Sequence, residues 1–168
     1  MKIKTRELIY MAFYIALFMV LDVFFNSLPL FQMPNGGSLG ISTIALLMAS
    51  YHLGWKYGVL VSVLSVMAMF ITGPMYTPDL FGFLLDYLIA FGVYGLASLF
   101  PSYKLFYSGV LITSLIRFAS STVSGVLVWK VTWWGSIVYQ SAYMIPTIIL
   151  GVILIPLLCE TLVPLLKE

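Results

Sequence analysis

The chain alternates between long apolar segments and short polar turns. Segments such as GVLVSVLSVMAMFI are continuously apolar and lack the two-residue alternation of a half-exposed strand. A helix needs roughly 20 mostly apolar residues to cross a bilayer. The pattern therefore predicts one compact bundle of six transmembrane helices, at about residues 7–26, 40–51, 57–71, 79–99, 105–129 and 136–165.

The composition agrees with a membrane protein. Hydrophobic residues make up 62% of the chain and charged residues only 8%, with a mean hydropathy of +1.08. A soluble domain has about 25% charged residues. We therefore predict an all-α integral membrane protein in which residues 1–168 form a single domain.

The basic residues predict how the bundle is oriented. Cytoplasmic loops of membrane proteins are enriched in lysine and arginine. One predicted side of the bundle carries most of these residues, namely Lys2, Lys4, Arg6, Lys56, Lys104 and Lys167. Only Lys130 falls on the other side. Both termini are therefore expected in the cytoplasm. The first segment is too long for a cleaved signal peptide and lacks a small-residue cleavage site, so we expect it to remain as helix 1.

Asp86 stands out because it lies inside the apolar run DLFGFLLDYLIAF. An acidic residue at the centre of a membrane helix costs roughly 2.5–3.5 kcal/mol on insertion scales. Counted from a helix start near Asp79, it lies about 10 Å from the outer end. Tyr87 follows it, and Tyr76 precedes it in the turn TGPMYTPD. These residues predict a site for a small ligand with a ring, a donor or a positive charge. Alternatively, Asp86 only pairs with Arg117 and pins helix 4 to helix 5.

Other polar and aromatic residues are expected in the same layer. At 1.5 Å per residue, Ser121 lies about 12 Å from the outer end of helix 5 and Gln140 about 6–8 Å down helix 6. Trp129 and Trp134 border this layer. Apolar walls with a few placed polar groups are typical of small-molecule sites. Each tryptophan has an alternative role in an aromatic belt at the membrane interface.

The first outer loop contains a run of turn-forming residues, Pro34, Asn35, Gly36 and Gly37. Such a run breaks helices and strands, so it predicts a mobile loop. The neighbouring Phe31 and Met33 are apolar enough to fold over a pocket. We therefore interpret this loop as a lid.

Helix 1 contains the motif A-x-x-x-A, formed by Ala12 and Ala16. Small residues four apart allow another membrane helix to approach closely. The motif is common by chance and, taken alone, predicts a helix-docking surface only weakly.

Five segments resemble the thiamine-specific S components of energy-coupling factor transporters. They follow in order along essentially the whole chain: MPNGGSLGIST, GWKYGVL, FLLDYLIAF, SLIRFASSTVSG and YQSAYMIPT. The resemblance implies a bundle of six helices in a bacterial cell membrane that binds a vitamin from outside with very high affinity. It also implies docking, through the A-x-x-x-A face of helix 1, on a transmembrane coupling subunit driven by two ATP-binding-cassette ATPases.

The resemblance also implies particular binding residues. The acid-tyrosine pair of the family matches Asp86 and Tyr87, and the tyrosine ten residues before the acid matches Tyr76. An aromatic residue at the end of helix 5 matches Trp129. The resemblance further makes the run that begins at Pro34 a gate over the site.

Two positions depart from the family pattern. Ser121 stands where the family has histidine on helix 5, and Gln140 stands where it has asparagine early in helix 6. Both side chains can still hydrogen-bond, but serine is much shorter than histidine. The expected ligand is thiamine or a closely related compound. Vitamin B6 and the isolated hydroxymethylpyrimidine are the alternatives.

Other classes of function have less support in the sequence. A membrane-embedded enzyme needs a nucleophile-base pair or a metal cluster, and the chain has one histidine, His52, one cysteine, Cys159, and no carboxylate cluster. The sequence also lacks the ATP-binding pattern G-x-x-x-x-G-K-[ST]. We therefore expect a transporter subunit without its own ATPase, cofactor, metal or nucleic-acid partner. A structural subunit without a ligand is a remoter alternative.

Overall fold

The computed structural model describes residues 4–28, 33, 37–72 and 75–167. The helices run in the order α1 Thr5–Asn26, α2 Thr43–Leu53, α3 Trp55–Thr72, α4 Leu80–Leu99, α5 Ser108–Leu127 and α6 Trp133–Lys167. Helix α4 changes its winding along its length, with a π-helical turn at Leu84–Ile89 and a 3₁₀ segment at Val93–Leu99. A short hairpin between α4 and α5 pairs β1, Ser102–Tyr103, with β2, Phe106–Tyr107.

Five of the described helices are long and apolar enough to cross a membrane. The exception is α2, which has 11 residues and spans only about 16 Å at 1.5 Å per residue. The hydrocarbon core of a bilayer is about 30 Å thick. The prediction of a helical, multi-pass membrane protein is thus confirmed. A sixth crossing and the side on which the termini lie stay predictions.

Helix α2 lies at the centre of the bundle. Its side chains from Ala45 to Ala49 are at most 4% exposed, and α1, α3, α4 and α6 all pack against it. Phe18 of α1 and Val61 of α3 are also fully buried in this core. Helices α1, α3, α4 and α6 therefore surround α2.

Two glycines allow the inner helices to approach closely. A Cβ atom added to Gly58 of α3 would lie 2.7 Å from the carbonyl oxygen of Gly95 in α4. The hydroxyl of Ser50 in α2 donates a hydrogen bond to the same carbonyl at 2.7 Å. Small residues at such contacts let membrane helices pack backbone to backbone. These contacts hold α2, α3 and α4 together.

The observed helix ends differ from the predicted ends by two or more residues at four connections. Helix α2 begins at Thr43 instead of 40, because the two residues before it form a turn. Helix α5 begins at Ser108 instead of near 105, because the preceding residues pair as a hairpin around Lys104, whose φ is +52°. Helix α6 begins at Trp133 instead of 136, which shortens the connection between α5 and α6. Gly54, at φ +85°, is the single residue between α2 and α3. Glycine has no Cβ penalty at positive φ, so it ends α2 sharply.

Candidate functional site

A cavity of about 770 Å³ opens at one end of the bundle, among the ends of α1, α3, α4, α5 and α6. This volume lies within the roughly 300–1,000 Å³ typical of small-molecule pockets. The start of α1 and the end of α6 meet at the opposite end, where the guanidinium of Arg6 donates a 2.5 Å hydrogen bond to the carbonyl of Leu166. The cavity therefore lies at the other end of the bundle from this contact.

The structure brings six of the seven predicted binding residues together. The residues that line the cavity include Tyr76, Asp86, Tyr87, Ser121, Trp129 and Gln140. The seventh, Trp134, lies outside the cavity wall, and its side chain is 74% exposed. It stands on the first turn of α6, which begins three residues earlier than the sequence predicted.

Asp86 is held by hydrogen bonds from neutral donors. It lies in the π-helical turn of α4, a feature that often marks functional sites. Its Oδ2 accepts a hydrogen bond from the hydroxyl of Ser124 at 2.6 Å and one from Nε1 of Trp129 at 3.3 Å. These bonds fix the carboxylate but leave its charge in place.

Arg117 makes contacts that differ from those of a clasp with Asp86. Its side chain is only 6% exposed, and its guanidinium carbon lies 4.4 Å from the ring centre of Phe91 and 5.8 Å from that of Tyr94. Among the described residues, neither Nε nor Nη1 has a hydrogen-bond partner. Arg117 is thus a buried cation stacked on aromatic rings in the cavity wall.

Tyr87 is fixed on both of its faces. Its ring stacks between Phe83, with centroids 6.1 Å apart, and Phe91, with centroids 6.3 Å apart. Its hydroxyl oxygen accepts a 2.8 Å hydrogen bond from the backbone N–H of Tyr76. The tyrosyl proton can therefore still be donated to another group.

Gln140 links α6 to α5 beside the cavity. Its Nε2 donates a 3.2 Å hydrogen bond to the carbonyl of Ser121, and its Oε1 accepts one from the hydroxyl of Tyr143. An amide has two N–H groups and two lone pairs on its oxygen. Counting only bonds to the described residues, one N–H and one lone pair are left. The remaining N–H and lone pair of Gln140 suit a ligand ring that has a hydrogen-bond acceptor next to a hydrogen-bond donor.

Sequence reasoning missed Asp22, which also lines the cavity. Its Oδ1 accepts a 3.0 Å hydrogen bond from the hydroxyl of Ser42. The signal was the same as for Asp86, a carboxylate within an apolar membrane segment. When ionised, the lining residues Asp22, Asp86 and Arg117 together carry two negative charges and one positive charge. These three groups therefore give the cavity wall a net charge of −1.

The proposed lid is only partly described by the structure. Pro34, Asn35 and Gly36 lie outside the described residues. Gly37 and Met33 flank them, and both line the cavity. The N–H of Gly37 donates a 3.3 Å hydrogen bond to the hydroxyl of Tyr139. The loop therefore reaches the cavity at both ends of this run, and gating stays a prediction.

Ala12 and Ala16 lie on the outer face of α1, away from the cavity. Both are exposed, and the same stripe continues with Leu8, 57% exposed, and Val20, 64% exposed. Residues four apart share one face of a helix. The face is therefore apolar and exposed, with small side chains at its centre.

Comparisons with known proteins agree with the resemblance noted in the sequence. Residues 8–167 match the family described as Thiamine transporter protein (Thia_YuaJ). The thiamine transporter ThiT of Bacillus subtilis (strain 168) is 30% identical over 158 aligned residues, which cover 82% of each chain. On this evidence the chain belongs to the thiamine transporter protein family.

Proposed function

We propose that this chain is the substrate-binding subunit, or S component, of an energy-coupling factor importer, and that its cavity binds thiamine or a closely related vitamin. The observation that carries this proposal is one cavity lined by six predicted binding residues and by two carboxyl groups, Asp22 and Asp86, against one guanidinium, Arg117. Thiamine joins a positively charged thiazolium ring to an aminopyrimidine. An opposite charge has more effect in a low-dielectric site than in water, so the wall complements the thiazolium.

The aminopyrimidine suits the side of the cavity formed by α5 and α6. Its ring nitrogen accepts a hydrogen bond and the neighbouring amino group donates one, which matches the N–H and lone pair left on Gln140. Trp129, 40% exposed at the cavity edge, offers an aromatic face for stacking. Tyr76 and Tyr87 complete the wall with phenol groups.

The cavity favours thiamine over a neutral vitamin. Pyridoxine and hydroxymethylpyrimidine are smaller and lack a permanent charge, so the net charge of the wall would add less to their binding. Hydroxymethylpyrimidine remains a second candidate because Ser121 is short and buried, which leaves more room around the pyrimidine than histidine would.

Transport would require partners, because the sequence contains no ATP-binding pattern of its own. In this proposal, the exposed stripe around Ala12 and Ala16 docks on a transmembrane coupling subunit driven by two ATP-binding-cassette ATPases. The alanines support this role because they let a partner helix approach the backbone of α1. The chain itself is not an enzyme.

The proposed location is the bacterial cell membrane, with the cavity facing outside. Support comes from Arg6 and Lys56, which lie at the starts of α1 and α3, at the end of the bundle away from the cavity. Cytoplasmic ends are enriched in such residues. The run from Pro34 to Gly37 would then act as an outer gate.

Reconstitution into lipid vesicles tests this proposal. The chain alone should bind labelled thiamine without accumulating it inside the vesicles. Together with the coupling subunit and both ATPases, it should accumulate thiamine only when ATP is supplied. Accumulation by the chain alone would contradict the proposal, as would ATP-independent accumulation by the complex.

A further inference from the structure

Asp22 is a second carboxylate in the cavity, and it belongs to a different part of the wall from Asp86. Asp86 is tied to α5 by Ser124 and to the segment after α5 by Trp129. Asp22 lies on α1 and is tied by Ser42 to the start of α2. The two carboxylates therefore border different parts of the cavity.

Asp22 and Asp86 share one cation. The carboxylate of Asp22 is held by hydrogen bonds from the hydroxyl of Ser42, at 3.0 Å to Oδ1, and from Asn26. A buried carboxylate normally needs an opposite charge as well as hydrogen bonds. Arg117, the cation of the described cavity wall, interacts electrostatically with both carboxylates, and its guanidinium stacks on Phe91. Two carboxylates thus face one guanidinium among the described lining residues, which leaves one negative charge for a cationic ligand to balance.

We propose that Asp22 contacts the positively charged ring of the ligand and thereby selects a cationic ligand over a neutral one of the same shape. This inference rests on the proposed function and names a residue that determines its specificity. Asp86 adds a second negative charge from the side of the cavity formed by α4 and α5. A ligand with two rings would reach from the wall formed by α5 and α6 to α1.

A pair of probes that differ only in charge tests this role. Thiamine is compared with 3-deazathiamine, in which a neutral ring replaces the thiazolium. Binding of both is measured by calorimetry on the wild type, on Asp22→Asn and on Glu160→Gln. Asn is nearly isosteric with Asp and can still accept the hydrogen bond from Ser42. Glu160 is a matched control because it lies outside the cavity wall, where its contact is the hydroxyl of Tyr107 at 3.4 Å.

Asp22→Asn should weaken thiamine binding about tenfold or more and change deazathiamine binding by less than about threefold. Glu160→Gln should change neither. An equal loss for both probes, or no loss for thiamine, would overturn the assignment. Thermal unfolding of each variant checks that it folds, and Asp22→Ser replaces Asp22→Asn if that variant does not fold.

The same experiment separates this inference from the proposed function. If the wild type binds neither probe, the proposed function fails. If the wild type binds thiamine and Asp22→Asn binds it equally well, only the role of Asp22 fails.

Discussion

Nε1 of Trp129 donates a hydrogen bond to Oδ2 of Asp86 across 3.3 Å, and the same oxygen accepts a 2.6 Å bond from Ser124. This contact joins the segment that follows α5 to the π-helical turn of α4. It holds an aromatic face and a carboxylate in fixed positions at one cavity edge. A ligand that binds to Asp86 should therefore change the surroundings of the Trp129 indole.

Replacing Asp86 with asparagine should weaken thiamine much more than a neutral ligand such as hydroxymethylpyrimidine. The reason is that the variant removes a charge from a low-dielectric site while it keeps an oxygen that can accept from Ser124. We expect a loss of about tenfold or more for thiamine by calorimetry. Equal losses for the two ligands would show that the charge of Asp86 is not what binds thiamine.

Two tryptophan variants should separate the cavity from the membrane interface. Trp129→Phe should remove most of the ligand-induced fluorescence change and weaken binding, because Trp129 lines the cavity. Trp134→Phe should leave both unchanged, because Trp134 is 74% exposed and outside the wall. Fluorescence titrations of the two variants provide the test. A signal that is lost with Trp134 would contradict the placement of the site.

Replacing Gln140 with leucine should weaken every ligand that contains the aminopyrimidine. The variant removes the amide that hydrogen-bonds Ser121 and Tyr143, and an unpaired buried polar group costs about 1–3 kcal/mol. Calorimetry should show similar losses for thiamine and hydroxymethylpyrimidine. Ser141→Ala is the control, since its hydroxyl donates a 2.7 Å hydrogen bond to the carbonyl of Ile137, one turn back on the same helix, and Ser141 lies outside the cavity wall. If only thiamine is weakened, Gln140 does not hold the pyrimidine.

Replacing Ala12 with leucine should block docking and leave ligand binding unchanged. The larger side chain keeps a partner helix away from the backbone of α1, and Ala12 lies outside the cavity wall. Co-purification with the coupling subunit should be lost, while thiamine titration of the isolated chain stays the same. Ile9→Leu is the control, because Ile9 is already large and 62% exposed. Normal co-purification of the Ala12 variant would place docking elsewhere.

Two glycines of α4 should differ in their tolerance of alanine. A Cβ at Gly95 would overlap the backbone of Val59, whereas nothing lies within 4 Å of a Cβ added at Gly92. Overpacking typically costs about 1–3 kcal/mol, so Gly95→Ala should lower the midpoint of thermal unfolding in detergent. Gly92→Ala should leave it unchanged or raise it. Equal effects would mean that α3 and α4 do not pack as closely as described.

Much of the fold could be predicted from the apolar pattern. A helix that faces lipid is an apolar segment long enough to cross the bilayer, so such segments can be recognised in the sequence. The distance of Asp86 from the start of α4 could also be predicted, because it was counted from a helix start near Asp79. Asp79 does cap this helix, since its side chain accepts a 2.7 Å hydrogen bond from the N–H of Gly82. The burial of α2 could not be predicted, because a short apolar helix in the protein core has the same composition as one that faces lipid.

The site could be predicted only in part, for a similar reason. Asp22 was missed although its apolar surroundings resemble those of Asp86, because its partner Ser42 lies in the next segment, and their contact depends on how α1 packs against α2. Trp134 was predicted to border the site, but it lies outside the cavity wall, because the direction of its side chain depends on where α6 begins. Helix rotation and helix starts are set by packing, which the order of residues along one segment does not reveal.

The most direct test of the central claim is a fluorescence titration of the purified chain with thiamine, hydroxymethylpyrimidine, pyridoxine and pyridoxal. The account predicts saturable quenching by thiamine at low concentration with one ligand per chain, because Trp129 lies in the cavity wall. Quenching by one of the neutral compounds but not by thiamine would mean that the cavity is specific for that compound. No response to any of the four would contradict a vitamin site in this cavity.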